Sequence, residues 1–199
     1  MPIVKPEAMN FSNKNIIMIL SGLPGTGKTT LLHRVLAQAG QKTLVITPYM
    51  NEWCERDANG VELYPELVAL KPTNLYFTGI RRHVYRPKYT FEHLKAFRRG
   101  VIVFDDCRGY FKANLDDKIH NLLLGTRQNM IDVFAVAHGF REVPPVFFTF
   151  ATDFILFRTE DNLDRRASDI RCIEVVRKMQ EKVNRDSVHN PFTHQWFKL

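Results

Sequence analysis

The chain has 199 residues, 45% apolar and 25% charged, an ordinary globular balance that excludes wholesale disorder and supplies enough chain for one sizeable core. No apolar run approaches the ~20 residues of a membrane span, and the opening Met-Pro-Ile-Val-Lys-Pro-Glu holds no signal-peptide core. The net charge of +7 is unevenly spread: residues 81–99 hold Arg81, Arg82, Arg86, Lys88, Lys95, Arg98 and Arg99 against one acid, Glu92. Such a block suits nucleic-acid phosphates, and equally a solvated face or an oligomer contact.

In chain order, residues 1–13 carry Pro2 and Pro6 without periodicity and read as an extended arm of a single domain spanning 1–199. An apolar run predicts a strand at 15–20. Directly after it stands Gly22-Leu23-Pro24-Gly25-Thr26-Gly27-Lys28-Thr29-Thr30, followed by a helical pattern to about residue 39 that Gly40 stops. A glycine-rich loop between a strand and a helix is the context that the P-loop pattern requires. Gly22, Gly25 and Gly27 let backbone N–H groups converge on phosphate oxygens, and the helix start adds its positive dipole end. Lys28 is expected to reach the β- and γ-phosphates and the Thr29 hydroxyl to ligate Mg²⁺, so ATP and Mg²⁺ are the expected ligands.

A second strand is expected at 43–47, ended by Pro48. Residues 49–74 look irregular, a short strand fits 75–78, and a helix near 90–98 opens on Thr90 as an N-cap. Val101-Ile102-Val103-Phe104-Asp105-Asp106 is then a buried strand ending in two carboxylates, the Walker B pattern. Asp105 suits a metal held through water and Asp106 a general base acting on water. A helix from about Asp116 to Met130 and a strand from Ile131 to Ala137 follow. The strand leads into His138, the candidate sensor of the terminal phosphate. A turn at Pro144-Pro145, a strand at 154–157, a helix around 168–183 and an irregular tail over 185–199 close the chain. The tail is aromatic and is expected to pack on its own domain. Cys54, Cys107 and Cys172, odd in number and widely spaced, read as buried free thiols of a reducing compartment.

Strands alternating with helices predict an α/β fold, a P-loop NTPase with a mostly parallel sheet flanked by helices. A second carboxylate after the first points to the branch of P-loop proteins that hydrolyses ATP with an internal base, which implies the core order 5-1-4-3-2 for the five expected strands.

The stretch from Arg127 to Arg158 narrows the reading. It runs Arg-Gln-Asn-Met-Ile-Asp-Val-Phe-Ala-Val-Ala-His, then Val-Pro-Pro, then Asp-Phe-Ile-Leu-Phe-Arg. It resembles the FtsK–HerA superfamily of DNA-pumping ATPases, and within it most resembles the genome-packaging ATPases of membrane-containing icosahedral viruses. The resemblance spans residues 15–158. This sequence departs from the family at two points: His138 stands where Gln is common, and Asp106 where Glu is common. The resemblance implies a homo-oligomeric ring around double-stranded DNA, with Arg127 as the arginine finger of a neighbouring subunit. Arg141, Arg158 and the Arg165-Arg166 pair compete for that role. It also implies viral capsid or membrane-vertex proteins as partners, and a place in the host cytoplasm or on the virion. Arg81, Arg82, Arg86 and Lys88 are the DNA-binding candidates. Three alternatives remain open: a small nucleoside-phosphate kinase, a filamentous-phage-type assembly ATPase, and a nucleotide-binding switch without turnover.

Overall fold

Five short apolar runs set the architecture of the computed structural model, which describes residues 15–86, 90–109 and 116–199. The elements are β1 (Ile17–Ser21), α1 (Lys28–Ala39), β2 (Thr43–Thr47), β3 (Ile80–Val84), α2 (Thr90–Leu94), β4 (Gly100–Phe104), α3 (Asp116–Asn129), β5 (Ile131–Ala137), α4 (Pro145–Phe150), β6 (Asp153–Phe157), α5 (Ile173–Asp186) and β7 (His194–Lys198). They build one sheet in the order β3-β2-β4-β5-β1-β6-β7. All neighbours are parallel except β6 and β7. The five strands expected from the sequence keep their expected order, and β3 and β7 extend the sheet at its two edges.

Strands β1, β2, β4, β5 and β6 are buried at every position, as a sheet covered on both faces requires. Alternate side chains serve opposite layers. Ile17, Ile19, Ile102, Phe104, Val133 and Ala135 pack with residues of α2, α3 and α4. Met18, Leu20, Val101, Val103, Phe134 and Val136 pack with Leu31, Leu32, Val35 and Leu36 of α1. Because β1, β4, β5 and β6 run parallel, the loops that leave their carboxyl ends gather at one end of the sheet. Open α/β sheets bind ligands there.

The local differences from the sequence reading have physical reasons. α1 stops where expected, with Gly40 left-handed (φ 60°) and its N–H on the Leu36 carbonyl at 3.3 Å. The strand expected at 75–78 is instead a 3-10 turn at Pro72–Leu75 followed by β3. β3 hides from an apolar-run search because it carries Arg81, Arg82 and His83. α2 stops at Leu94 rather than 98, and Thr90 does not cap it: its hydroxyl accepts from the Arg86 N–H at 3.0 Å and pairs with His83. α5 starts at Ile173, after a 3-10 turn at Leu163–Arg166, rather than at 168.

The tail is not irregular throughout. β7 covers the outer edge of β6, whose backbone groups would otherwise be unpaired. Phe197 stacks on Phe154 at 5.2 Å, and the Trp196 indole N–H donates to Asp153 at 3.0 Å. The tail therefore does pack on its own sheet. The three cysteines are free, but only Cys107 is buried; Cys54 and Cys172 are exposed. The arm expected at 1–13 lies outside the described residues.

Candidate active site

The loop between β1 and α1 is held from both sides. The Gly22 N–H donates to the Ala137 carbonyl at 3.4 Å and the Leu23 N–H to the Arg158 carbonyl at 2.8 Å, which ties the loop to the ends of β5 and β6. A side chain on Gly22 would put its Cβ 2.5 Å from that of Phe157, so only glycine lets these strands close up here. Gly27 caps α1 at φ 91°, a left-handed value that glycine adopts without steric cost. The Thr26 hydroxyl donates to the Leu23 carbonyl at 2.8 Å and closes the curl.

Lys28 is buried, and its ammonium donates to the carbonyls of Gly22 at 2.6 Å and Leu23 at 2.8 Å. Burial lowers its pKa to about 8, against the opposing pull of Asp105, Glu142 and Asp106. A polyanion arriving beside it would return the charge that burial disfavours. The His138 Nδ1 lies 3.3 Å from the same ammonium. With Lys28 charged, Nδ1 is the acceptor of that contact and the ring's proton stands on Nε2.

The paired aspartates follow β4 into the same cavity of about 490 Å³, which Lys28, Thr29, Thr30 and His138 also line. Asp105 is 6% exposed and accepts the Trp53 indole N–H at 2.7 Å. Its pKa is pushed up to about 6, chiefly by burial, with Glu52 and Asp106 adding to the rise and Trp53 opposing it. Asp106 adopts φ 50°, a left-handed conformation that Asp tolerates better than most residues. One of its carboxylate oxygens accepts from the Tyr49 hydroxyl at 2.8 Å. The other, Oδ1, is buried and has no hydrogen-bond partner among the described residues.

Asp105 and the Thr29 hydroxyl in one cavity form an all-oxygen donor set, which suits Mg²⁺. Among the described residues no three His, Cys, Asp or Glu side chains converge on a metal. Mg²⁺ seldom needs such a cage, because it keeps waters and takes phosphate oxygens as ligands.

Several of these contacts lie outside the sequence reading. Tyr49, Glu52 and Trp53 come from the stretch that looks irregular, and Trp53 takes φ 56°, rare for an aromatic residue. His33 and Tyr64 pack on the Trp53 ring at 4.1 and 5.2 Å. Glu142 accepts from the His138 backbone N–H at 3.0 Å and pairs with Arg108 at 3.5 Å. It lines a second cavity beside His138 with Arg108, Arg141 and Asp161. Asp161 in turn accepts the Phe140 N–H, and a Cβ on Gly139 would collide with its carboxylate at 2.5 Å.

The sequence matches no protein-family model and no curated protein. Solved structures do resemble the chain. The genome packaging NTPase B204 from Sulfolobus turreted icosahedral virus 2, in complex with sulfate, matches with a TM-score of 0.60 at 16% identity, covering 86% of each chain. The same NTPase in complex with AMPPCP gives 0.59 at 15% identity over 92% of each chain. B204, the DNA-packaging ATPase from Sulfolobus Turreted Icosahedral Virus, gives 0.59 at 15% identity over 82% of this chain and 87% of that one. The chain has the fold of these viral genome-packaging NTPases.

Within this packaging-NTPase fold the other candidates stand apart from the cavity. Arg127 is exposed in the last turn of α3. Only Met130 separates that helix from β5, so Arg127 lies at the amino end of the sheet. A strand of this length spans roughly 20 Å, which puts its own cavity out of reach. Arg166 is committed to Asp169 at 3.1 Å and to the carbonyls of Arg141 and Val143. Arg141 and Arg158 are exposed near the carboxyl end. In the basic block, Arg82 is 9% exposed and pairs with Glu66 at 3.0 Å while donating to the Met50 carbonyl at 3.1 Å. Arg81 is half-buried on β3 and Arg86 is exposed. Lys88 lies outside the described residues. Among the described residues no helix is long and apolar enough to cross a membrane.

Proposed function

We propose that this chain is an ATP hydrolase that couples turnover to the movement of double-stranded DNA, working as a ring of identical subunits that packages a viral genome. The observation that carries the reading is one cavity shared by a lysine-bearing glycine loop, two aspartates and a histidine, at the carboxyl ends of three adjacent parallel strands. Lys28 and the loop amides hold the phosphates, and the Asp106 carboxylate accepts the proton of the attacking water. His138 links the end of β5 to Lys28 and so to the state of the terminal phosphate. Thr29 and Asp105 would hold Mg²⁺, which when bound offsets charge on the phosphate oxygens. Trp53 and Tyr49 orient the two carboxylates through their hydrogen bonds.

Arg127 serves a neighbour's nucleotide, which is what makes a ring the natural assembly. Arg81, Arg86 and Lys88 meet DNA phosphates, while Arg82, engaged inside the fold, holds the strand that carries Arg81. Capsid or membrane-vertex proteins are the docking partners, in the host cytoplasm and on the virion.

Phosphate release from ATP, measured with and without duplex DNA, tests this reading. Turnover that needs Mg²⁺ and rises with DNA is expected, with DNA affinity that falls steeply with salt. Absence of phosphate release contradicts it. Transfer of the phosphate to an added nucleoside monophosphate would instead favour the kinase alternative.

A further inference from the structure

The cavity holds an aromatic ring that the phosphate chemistry does not use. Phe192 sits in the turn between α5 and β7 and lines the same cavity as Lys28, Thr29 and Thr30. Its Cδ1 lies 3.0 Å from the position a Cβ on Gly27 would take, so the ring rests against the helix-capping glycine. It is nevertheless 60% exposed. Its backbone is fixed: the Phe192 N–H donates to the Asn190 side chain at 3.0 Å, and the Thr193 N–H to the Asn190 carbonyl at 3.0 Å. β7 follows immediately and is clamped to β6. An exposed phenyl ring on an anchored turn at the rim of the cavity presents an apolar face to whatever ligand enters.

The order of the strands gives the direction of a nucleotide lying across the site. Along the sheet, β4 ends in Asp105 and Asp106, β5 in His138, β1 in the glycine loop, and β6 and β7 follow. The hydrolytic groups therefore stand on the β4–β5 side, where the terminal phosphate belongs. The remaining phosphates run past Lys28 toward the first turn of α1. Sugar and base then emerge on the β6–β7 side, where Phe192 stands. The other aromatic ring of the cavity, Tyr49, is committed at the opposite side through its bond to Asp106.

We propose that Phe192 is the platform on which the nucleobase of the bound triphosphate stacks. The inference rests on the nucleotide reading of the cavity given above. Stacking on a phenyl face accepts any base, so this subsite supplies affinity with little base discrimination. The C-terminal strand thereby becomes part of the nucleotide site rather than only the edge of the sheet.

Calorimetric titration of wild type, Phe192→Ala and Phe192→Trp with MgATP, MgGTP and inorganic tripolyphosphate tests it. Phe192→Ala should weaken ATP and GTP alike by about tenfold and leave tripolyphosphate unchanged. Phe192→Trp should retain ATP affinity and gain a nucleotide-dependent fluorescence change that wild type lacks. Unchanged ATP affinity in Phe192→Ala overturns the proposal. An equal loss for tripolyphosphate also overturns it, because the ring would then support the glycine loop rather than a base. Wild type that binds tripolyphosphate but no better when a nucleoside is attached leaves the phosphate site standing and refutes the stacking subsite. Wild type that binds none of the three overturns the nucleotide reading, and this inference with it.

Discussion

The two ends of the sheet each hold a pair of acids, and they differ in what surrounds them. At the carboxyl end, Asp105 and Asp106 share a cavity with Lys28, and Asp106 keeps one oxygen unpartnered. At the amino end, Asp132 and Asp153 flank the start of β1, and both are engaged. Asp132 accepts the Ile16 N–H at 2.7 Å, while Asp153 accepts from Thr152 at 2.6 Å and Trp196 at 3.0 Å. Asp132 and Asp105 are both pushed up to about 6, mainly by burial. A raised pKa therefore does not separate the two ends. What separates them is the open space, the buried cation and the oxygen left without a donor. The carboxyl end is arranged for a ligand, and the amino end closes the fold.

Arg127 is the residue that would cross this division, and after Lys28 its removal carries the largest expected effect. Arg127→Ala should bind ATP normally and lose about 10³-fold in turnover. Mixing it with Lys28→Ala subunits should restore part of the activity, because each supplies the half-site that the other lacks. No rescue in mixtures shown by sizing to be hetero-oligomers would move the finger to Arg141, Arg158 or Arg165. Asp106→Asn comes next. It should keep ATP affinity within about twofold and lose roughly 10²-fold in turnover, since an amide cannot accept the proton. Normal hydrolysis by Asp106→Asn beside a dead Asp105→Asn would reverse the roles of the pair.

The smallest effect belongs to the amino end and is one of stability alone. Asp132 holds its proton up to about pH 6 in the folded chain, against 3.8 as its ordinary value. Between those values the unfolded chain binds fewer protons, so stability should fall as pH rises from 4 to 6 and stay low above it. Asp132→Asn should remove that penalty. Urea unfolding should show it about 1–2 kcal/mol more stable than wild type at pH 7.5 and little different at pH 4, with ATP turnover unchanged. A variant that instead lost turnover would erase the contrast between the two ends.

The sequence made the carboxyl end legible because its chemistry is local. The glycine loop and the two aspartates each follow a continuous apolar run, and burial on both faces is what makes such runs continuous. The five core strands were legible for the same reason, whereas their order followed from the branch of P-loop ATPases that the second carboxylate points to. The edges were not: β3 is only partly buried and carries Arg81, Arg82 and His83, and β7 is half-exposed, so neither shows an apolar run. The groups that orient the aspartates were hidden by distance along the chain. Trp53 meets Asp105 across 52 residues, and Phe192 reaches Gly27 from the opposite terminus. Glu142 reaches the site through its bond to the backbone of His138 and its pairing with Arg108. A tryptophan set among polar residues in an irregular stretch was the one visible hint of these contacts.

On the proposed function, the cavity at the carboxyl end turns over ATP through Lys28. Steady-state phosphate release by wild type and by Lys28→Ala, at saturating MgATP, tests it most directly. Turnover is expected in wild type and none detectable in Lys28→Ala, whose loop has lost its only buried cation among the described residues of the cavity. Turnover in Lys28→Ala within threefold of wild type would contradict it.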